Sequence, residues 1–327
     1  MPIERACAHV FPKPWGVADL RPWSKASGKD GAIGEIWYER PGSAAPDPSL
    51  LLKVLFASQP LSIQVHPDDT FAHSIGMPNG KTEAWYVLSA ASQAKVALGL
   101  DQRLTSRQLR STIEDGSISN HVVWQSVSAG DVIFVPAGTI HAIGAGLVIA
   151  ELQQRSDVTF RIFDHGRQRI LHVENAIAVA NTGPAEFQVH QDRLTPERTI
   201  LVSCPYFVFE KLNLPPGSSW SLEAERETWL LVLSGRAVAG SFDVGTGDAI
   251  FAQSDSVDIQ AGTLGMVCLA AYPGGGPLPH LIATSTKPRS SGSTLSSGSR
   301  GLYDIGVRTP LSLAKTAPKS GRMETNK

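Results

Sequence analysis

The stretch that decides the fold is Gly130-Asp131-Val-Ile-Phe134-Val-Pro136-Ala-Gly138-Thr-Ile-His141. A Gly-Asp pair followed by an apolar, β-branched run predicts a tight turn that leads into a strand. Pro136 and Gly138 then bend the chain, and His141 follows the bend. We therefore expect the imidazole of His141 to point into the interior of a small β-barrel.

The spacing Gly-x5-Pro-x-Gly-x2-His in this stretch resembles the second signature of the cupin barrel. Two earlier stretches, at 60–69 and 80–86, contain further residue types that bind metals in proteins. Taken alone, a His on an apolar strand is usually a packed core residue. The three stretches together, in this order, predict a metal site inside a β-barrel.

The candidate ligands follow the two-residue period of a strand. Gln64 and His66 are two residues apart in an apolar run, so their side chains share one face, with Ser62 beside them. Lys81 and Glu83 repeat this spacing. With His141, the site offers two imidazoles, one carboxylate and one amide oxygen, a mixed set suited to zinc or another first-row divalent ion. Such a set leaves a coordination position for water or substrate, which favours catalysis.

The composition limits the classes of protein that fit. A length of 327 residues with 42% hydrophobic content allows two units with cores of their own. A formal net charge of −1 offers no basic surface for nucleic acid or for acidic membranes, so we expect neither partner. Cys7, Cys204 and Cys268 form no Cys-x-x-Cys pair, which indicates neither a disulfide framework nor a thiolate zinc site. We expect a cytoplasmic protein without a membrane span. The sequence does not determine its oligomeric state.

Most of the chain has strand signals, separated by Pro, Gly, Asn and Ser. The predicted strands lie at 33–38, 50–57, 60–66, 83–89, 94–99, 121–127, 131–135, 147–153 and 157–163. Residues 104–115 instead predict a short helix, with apolar residues on one face and Thr105 or Ser106 as its cap.

An internal repeat indicates a second barrel. The segment at 83–89 reappears at 227–234, and the segment at 130–134 reappears at 247–251. The two offsets, 144 and 117 residues, differ by 27, which is about the length of 101–127. We therefore expect the second copy to be the same barrel without the helical insert.

The second copy lacks the metal ligands of the first. It keeps Glu227 as the apparent counterpart of Glu83, but Ser221, Leu222 and Glu223 stand where paired ligands are expected. No His occurs between positions 191 and 279. We expect this barrel to bind no metal.

These patterns predict a mainly β protein of two cupin-like, jelly-roll barrels. A catalytic metal-binding domain is expected at 1–190, with a helical insert at about 101–120, and a metal-free barrel at 191–273. Residues 274–327 are rich in Gly, Ser, Pro and Lys, which predicts a disordered, flexible tail. The dispersed charges of this tail favour a solvated segment over an arm that binds nucleic acid.

Six motifs resemble type I mannose-6-phosphate isomerase in its short bacterial form: 13–16, 51–55, 64–69, 80–83, 136–141 and 153–161. They occur in the order of that family and span residues 10–175. The resemblance implies a zinc-dependent interconversion of mannose 6-phosphate and fructose 6-phosphate. It also implies that Gln64, His66, Glu83 and His141 hold one metal ion per chain.

An aldose–ketose isomerase must remove a proton beside the carbonyl, stabilise a cis-enediol or enediolate, and return a proton to the adjacent carbon. Arg161, placed at the active site by the family resemblance, shares a strand face with Thr159 and is the candidate cation. Lys81 would lie near the metal, to contact substrate or to move a proton if its pKa is lowered; the alternative is a pair with an Asp of the 68–69 segment. Glu151 stands in an apolar strand, either as a base or as a partner of Arg161.

Lys53 and Ser62 resemble the family's phosphate contacts, being a cation and a hydroxyl on strands beside the metal strand. Two other functions stay open at this point. One is an isomerase of a related or unphosphorylated sugar, or another cupin enzyme. The other is a metal-binding sugar-phosphate sensor without catalysis, for which Arg161 and Lys81 would not be needed.

Overall fold

The computed structural model describes residues 3–26, 31–42, 47–186 and 189–285, and this part of the chain consists mainly of β-strands. The strands are β1 (Glu4–Arg5), β2 (Cys7–Val17), β3 (Ile33–Glu39), β4 (Leu50–Ala57), β5 (Ile63–Val65), β6 (Glu83–Ala90), β7 (Lys95–Leu100), β8 (Val122–Ser126), β9 (Val132–Val135), β10 (His141–Ile143), β11 (Leu147–Gln154), β12 (Phe160–Phe163), β13 (Asp192–Arg193), β14 (Arg198–Ser203), β15 (Phe207–Leu214), β16 (Ser219–Ala224), β17 (Thr228–Ala239), β18 (Phe242–Gly245), β19 (Ala249–Ala252), β20 (Asp255–Pro273) and β21 (Ile282–Thr284). The helices are α1 (Asp69–Ser74), α2 (Ser106–Glu114) and α3 (Val173–Val179), with a 3-10 helix at Ser117–Asn120.

The first barrel consists of two antiparallel sheets that face each other. One has the order β2-β3-β4-β11-β6-β9 and the other the order β12-β5-β10-β7-β8. Leu55 and Trp85 of the first sheet pack against Val96 and Ile143 of the second. Two packed antiparallel sheets around one apolar core are the jelly-roll arrangement that the sequence predicted.

The second barrel repeats this strand order in one ten-stranded sheet. The order β14-β15-β20-β17-β19 corresponds to β3-β4-β11-β6-β9, and the pairs β21-β16, β16-β20, β20-β17 and β17-β18 correspond to the smaller sheet of the first barrel. The two halves are continuous because β20, with 19 residues, and β17, with 12, extend from one face of the barrel to the other. The duplicated barrel is therefore confirmed.

A shared core joins the barrels. Tyr38 and Phe56 of the first barrel pack with Phe209, Trp229 and Phe251 of the second, all nearly or fully buried. Aromatic side chains of this size bury large apolar areas. The contact between the two barrels is therefore a stable interface and not a flexible link.

The helical insert lies where the sequence placed it. Thr105 caps α2: its hydroxyl accepts from the Gln108 backbone, and the Gln108 side chain accepts from the Thr105 backbone. The buried residues of α2, Leu109 and Ile113, pack with the 3-10 helix and β12 in a separate small core. Among the described residues, no helix has the length and apolarity needed to cross a lipid bilayer.

The predicted start of the tail at 274 is wrong. Leu278 and Leu281 are buried in the second core, and β21 pairs with β16. The sheet order makes β21 the counterpart of β12, so the second barrel needs this strand to cover its last edge. Residues 286–327, the rest of the predicted tail, lie outside the described residues.

The repeat is also shifted by one residue from the match read in the sequence. The Val87 backbone bonds the Asp131 carbonyl as the Val232 backbone bonds the Asp248 carbonyl, which makes Val87 and Val232 equivalent. By this register Thr228, and not Glu227, is the counterpart of Glu83. A shift of one residue turns a strand side chain to the opposite face, so Glu227 lies on the side that meets the first barrel.

Candidate metal centre

Three strands bring the predicted ligands together. Gln64 lies in β5 and is paired in register with His141, the first residue of β10. Glu83 is the first residue of β6 in the facing sheet. The bend at Gly138, with φ of +85°, places its N–H 2.8 Å from the carbonyl of His66. A positive φ favours glycine, so this residue allows the turn that joins the two His-bearing segments.

The ligand atoms of His66, Glu83 and His141 all lie within 4.8 Å of one another. The Nε2 of His66 is 3.5 Å from Oε2 of Glu83, and the Nε2 of His141 is 3.4 Å from Oε1. All three residues are at most 1% exposed. This spacing fits one ion between two imidazole nitrogens and a carboxylate.

Backbone contacts fix both imidazoles. Nδ1 of His66 lies 2.9 Å from the carbonyl oxygen of Val158, and Nδ1 of His141 lies 2.9 Å from that of Thr139. A carbonyl can only accept, so each Nδ1 is the protonated nitrogen and each Nε2 keeps its lone pair. Metal-binding imidazoles are oriented by this kind of contact.

Burial and charge keep the three residues in the protonation states that bind metal. Burial lowers the pKa of His66 to about 3 and also lowers the pKa of His141. Burial by itself would raise the pKa of Glu83, but Lys81 and His66 outweigh it and hold the pKa well below its usual range. The set is thus two neutral imidazoles and one carboxylate.

The carboxylate of Glu83 is the observation that tests whether a metal fits. Both of its oxygens are buried; the Lys81 ammonium lies 2.7 Å from Oε2, but no donor in the described ranges makes a hydrogen bond to Oε1. An unsatisfied buried carboxylate is costly, and a divalent ion between Glu83 and the two imidazoles would remove that cost. The residues present therefore fit a metal ion.

Gln64 lies within reach of the same position. Its Nε2 is 3.3 Å from Nε2 of His141, while its Oε1 accepts a hydrogen bond of 3.0 Å from Ser62. The two ends of an amide are assigned from the surrounding contacts, and a half-turn of the group exchanges them. That half-turn would present the oxygen to the metal position, as the predicted ligand role requires.

Lys81 contacts the metal residues. Its Nζ lies 2.7 Å from Oε2 of Glu83 and 3.0 Å from Nε2 of His66, so it does not pair with the 68–69 segment. Burial lowers the pKa of Lys81, but the carboxylates of Glu83 and Glu151 outweigh it and raise the pKa above its usual range. In this arrangement Lys81 is an ammonium that can donate to a neighbouring oxygen.

Glu151 does not pair with Arg161, contrary to one of the two sequence readings. Its Oε1 lies 3.4 Å from Nζ of Lys53, and its Oε2 accepts a hydrogen bond of 3.2 Å from Nε1 of Trp85. The three residues are neighbours across β4, β11 and β6. Burial, followed by the charge of Glu83, raises the pKa of Glu151. Glu151 is therefore a buried carboxyl group that holds a proton more readily than an exposed glutamate does.

A cleft adjoins Glu83 and Glu151, and Lys53 and Ser62 both line it. Lys53 is 3% exposed, and its ammonium lies over the Trp37 ring, 4.3 Å from the centroid, as well as beside Glu151. Ser62 is also buried and donates to Gln64. Both side chains therefore already have partners within the protein: Trp37 and Glu151 for Lys53, and Gln64 for Ser62.

Arg161 lines the cleft as predicted, on β12 opposite Gln64 in register. Its Nη1 donates to the carbonyl of Ile170 at 2.9 Å, and its Nε is buried without an acceptor. Burial, followed by the charges of Arg169 and Arg167, lowers the pKa of Arg161. The guanidinium remains charged under ordinary conditions and has a donor to spare.

The cleft has a volume of about 220 Å³ and contains polar residues that the sequence reading missed. These residues are Lys13, Glu35, Asp157, Thr159 and Arg169. Glu35 is 7% exposed and lies in the strand Ile33–Glu39, where a charged residue between apolar neighbours was a usable signal. Arg169 follows β12 in a loop, where charge is common and gives no such signal.

Comparisons with known proteins show the family and the fold of the chain. No family model matches the chain. Over 208 residues, 60% of its length, the chain is 38% identical to "Mannose-6-phosphate isomerase" of Streptococcus mutans, and the match covers 63% of that relative. It is also 32% identical over 225 residues to "Probable mannose-6-phosphate isomerase GmuF" of Bacillus subtilis, covering 62% of the chain and 68% of the relative. The first of these matches spans less than two thirds of its relative.

A solved structure supports the fold. The crystal structure of the mannose 6-phosphate isomerase from Bacillus subtilis superposes with a TM-score of 0.74, covering 83% of this chain and all of that one, at 21% identity. The fold and the buried His/Glu/His set define a duplicated cupin protein with a candidate metal centre. The chain belongs to the mannose-6-phosphate isomerase family.

Proposed function

We propose that the protein is a metal-dependent aldose–ketose isomerase that interconverts D-mannose 6-phosphate and D-fructose 6-phosphate. The metal is one divalent ion per chain, most simply Zn2+, held by Gln64, His66, Glu83 and His141. The proposal rests on the family relationship and on the buried site, because the matched relatives carry this name and the ligand chemistry suits zinc.

The observation that supports it most strongly is the buried carboxylate of Glu83. It lies between two imidazole nitrogens that are 3.4 and 3.5 Å away, and its Oε1 has no hydrogen-bond donor among the described residues. Glu83 lines a cleft that Glu151 and Arg161 also line. A metal, an acid or base, and a cation thus adjoin one small cavity.

A divalent ion bound there would act as a Lewis acid that stabilises negative charge on the sugar oxygens O1 and O2. Arg161 would act on the same charge from the side of β12, through its Nε, which has no acceptor among the described residues. Lys81, held protonated by the carboxylates beside it, would donate to a sugar oxygen.

Glu151 is the group that we assign to proton transfer. Its raised pKa follows from burial, and Lys53 and Trp85 fix its two oxygens. In the direction from aldose to ketose it would take the proton from C2, which leaves a cis-enediolate; once a proton has moved from O2 to O1, it would return its proton to C1 to give the ketose. Burial would protect the exchanged proton from solvent.

The remaining assignments extend the family likeness. Lys53 and Ser62 line the cleft and are the proposed family-type contacts of the phosphate. The three cysteines are free, in agreement with a reducing, cytoplasmic location for the enzyme.

The test is isomerase activity of the full chain with mannose 6-phosphate, before and after removal of metal by a chelator. We expect activity that is lost on chelation and restored by one equivalent of Zn2+ per chain. Turnover that survives complete metal removal would contradict the proposal. Equal kcat/KM values for mannose and mannose 6-phosphate would instead identify an isomerase of unphosphorylated sugars.

A further inference from the structure

The motif at 153–161 contains two consecutive glutamines that the proposed function does not use. Gln153 and Gln154 are the last two residues of β11, and they are 0% and 6% exposed. Successive side chains of a strand point to opposite faces of the sheet, so the two amides meet different surroundings. The contacts of each amide indicate what each residue does.

The amide of Gln154 has a partner at each end. Its Oε1 accepts a hydrogen bond of 2.9 Å from the backbone N–H of Thr82, and its Nε2 donates to Oδ1 of Asp69 at 2.9 Å. A buried amide that is paired at both ends stabilises the fold around it. These contacts account for Gln154 as a structural residue.

The amide of Gln153 lies on the face of the sheet that carries the metal residues. Gln153 is opposite Glu83 in the register of β11 and β6, and it is two residues from Glu151 on the same strand. Its Nε2 donates to the carbonyl of Gln154 at 3.0 Å and also to the carbonyl of Ser156. Its Oε1 is buried and has no donor among the residues that the structure describes.

The orientation of this amide is fixed by its two acceptors. Carbonyl oxygens only accept hydrogen bonds, so the nitrogen must face them, and a half-turn of the group would bring oxygen against oxygen. The unpaired end of Gln153 is therefore its oxygen. A buried acceptor without a donor lowers stability, and an apolar side chain of similar size would not carry this cost. Stability alone does not account for a glutamine at this position.

The bonds made by Gln153 hold the start of a crossover between the two sheets of the first barrel. β11 belongs to the larger sheet, and β12, which begins at Phe160, belongs to the smaller one. Residues 156–159 between them are in neither a helix nor a strand. The bond to the Ser156 carbonyl thus ties the crossover to a side chain of β11.

This crossover contains the carbonyl that orients His66. The carbonyl of Val158, two residues after Ser156, accepts from Nδ1 of His66 at 2.9 Å. Outer contacts of this kind decide which nitrogen of a metal-binding imidazole keeps its lone pair and where that nitrogen points. A chain of contacts therefore leads from the Gln153 amide, through the crossover, to the ring of His66.

We propose that Gln153 is a positioning residue of the candidate metal centre: its amide nitrogen fixes the crossover, and the crossover fixes the imidazole of His66. The inference rests on the proposed function, because it takes His66 as a ligand of a divalent ion. Gln153 is not among the described residues that line the cleft, so it acts through another residue. Its loss should therefore change how the ion is held.

The experiment measures the dissociation constant of Zn2+ by competition with a chelating dye, without any sugar, in the full chain. Gln153→Met removes the donor at similar volume, and we expect it to bind Zn2+ about ten- to a hundredfold more weakly, the usual cost of losing an outer contact of a metal site. Leu51→Met is the matched control, because Leu51 lies opposite Gln153 in register on β4 and is 3% exposed. This volume-conserving change should keep the wild-type dissociation constant.

Two further readouts separate positioning from support of the fold. Gln153→Met removes the unpaired oxygen together with the donor, so the melting temperature of the metal-free variant should stay close to that of Leu51→Met. The visible absorption spectrum of bound Co2+ depends on the arrangement of its ligands, and we expect it to change in Gln153→Met only. Gln153→Asn keeps the amide with a shorter reach and should give intermediate Zn2+ affinity; it is the test variant if Gln153→Met does not fold.

The outcomes distinguish this inference from the proposed function. Wild-type Zn2+ affinity and an unchanged Co2+ spectrum in the Gln153 variants would overturn the inference alone. Equal weakening in Leu51→Met would also overturn it, since any change of packing would then have the same effect. A wild-type chain that binds no divalent ion would refute both proposals. Weaker binding in Gln153→Met, in a chain that binds the ion but has no isomerase activity, would support the inference and refute the proposed function.

Discussion

The two barrels place opposite charges at the same pair of positions. In the first, Glu35 and Lys53 stand on neighbouring strands that border the cleft. In the second, the equivalent positions are Arg198 and Glu210, which form a bidentate ion pair with distances of 3.0 and 2.7 Å. One barrel keeps these charges beside an open cavity, and the other closes them on each other.

The closed pair is covered on its remaining sides. The hydroxyl of Tyr272 donates to Glu210, and the backbone of Leu278 donates to that hydroxyl at 3.1 Å. Arg198 donates to the carbonyl of Pro279 at 3.1 Å. These contacts satisfy the buried charges, as burial requires.

The smaller sheet of the first barrel and the corresponding strands of the second differ in the same way on their inner faces. Gln64 of β5 lies beside His141, and His66 just after this strand belongs to the candidate metal set, whereas Trp220 and Leu222 of the equivalent strand β16 are buried in an apolar core. The comparison teaches that one fold can form a site or a filled core. What decides is whether the inner polar groups find partners within the protein.

The largest effect is expected from breaking the buried ion pair between Arg198 and Glu210. Glu210→Ala leaves the Arg198 guanidinium buried without its partner, which should lower the free energy of unfolding by about 3–5 kcal/mol. Chemical denaturation measures this. The double variant Arg198→Met/Glu210→Met should regain much of the loss, and the kinetics of folded protein should stay unchanged. A single variant as stable as wild type would show that the pair is not a structural element.

The next effect concerns the first barrel, whose charged residues border the cleft. Arg161→Ala should lower kcat and kcat/KM together by about a hundred- to a thousandfold, because the loss falls on charge that develops in the transition state. Metal content should not change. Arg161→Lys should recover only part, since an ammonium lacks the planar fork. Steady-state kinetics decide the matter: wild-type kcat in the alanine variant would remove this arginine from the mechanism.

A smaller effect separates Glu227 from Glu83. The carboxylate of Glu227 accepts from the N–H and hydroxyl of Ser49 and from the N–H of Leu50, and so ties the second barrel to the first. Glu227→Gln should cost about 1.5–3 kcal/mol of stability through the loss of charge-assisted bonds, with metal content retained. Denaturation and metal analysis of this variant check both parts; loss of metal would contradict a purely structural role of Glu227 between the barrels.

The smallest effect lies in the insert that the second barrel lacks. Thr105→Ala removes the hydroxyl that caps α2 and should cost about 1 kcal/mol. The melting temperature should fall slightly while kcat/KM stays the same. Thr105→Ser is the matched control, because it keeps the capping oxygen, and a serine variant as unstable as alanine would speak against the cap.

Much of the fold could be predicted from local pattern. Alternating β-branched residues and turn formers located most strands of the first barrel, and the Thr105 cap located α2. The tail boundary failed because the Gly274–Pro277 run has the composition of a linker, although Leu278 and Leu281 beyond it are core residues. Composition cannot reveal that a later strand completes a sheet.

The candidate site divides in the same way. His66, Glu83 and His141 follow strand periodicity and a family-like motif, so their sequence spacing was enough to predict that they lie together. The Glu83–Glu227 match failed because identity at one residue cannot reveal a shift of register, which only the Val87 and Val232 ladders show. Arg169 gave no signal because it lies in a loop, and its contacts with Asp164 and with the distant Trp15 arise only in the folded chain.

The most direct test of the account is metal content, measured by mass spectrometry, in Glu83→Gln and in Thr228→Val, the variant at the equivalent position of the second barrel. The account predicts one divalent ion per chain in the wild type and in Thr228→Val, and a large loss of bound ion in Glu83→Gln, with both variants folded. Full metal occupancy in Glu83→Gln, or loss of the ion in Thr228→Val, would contradict the assignment of the metal to the first barrel.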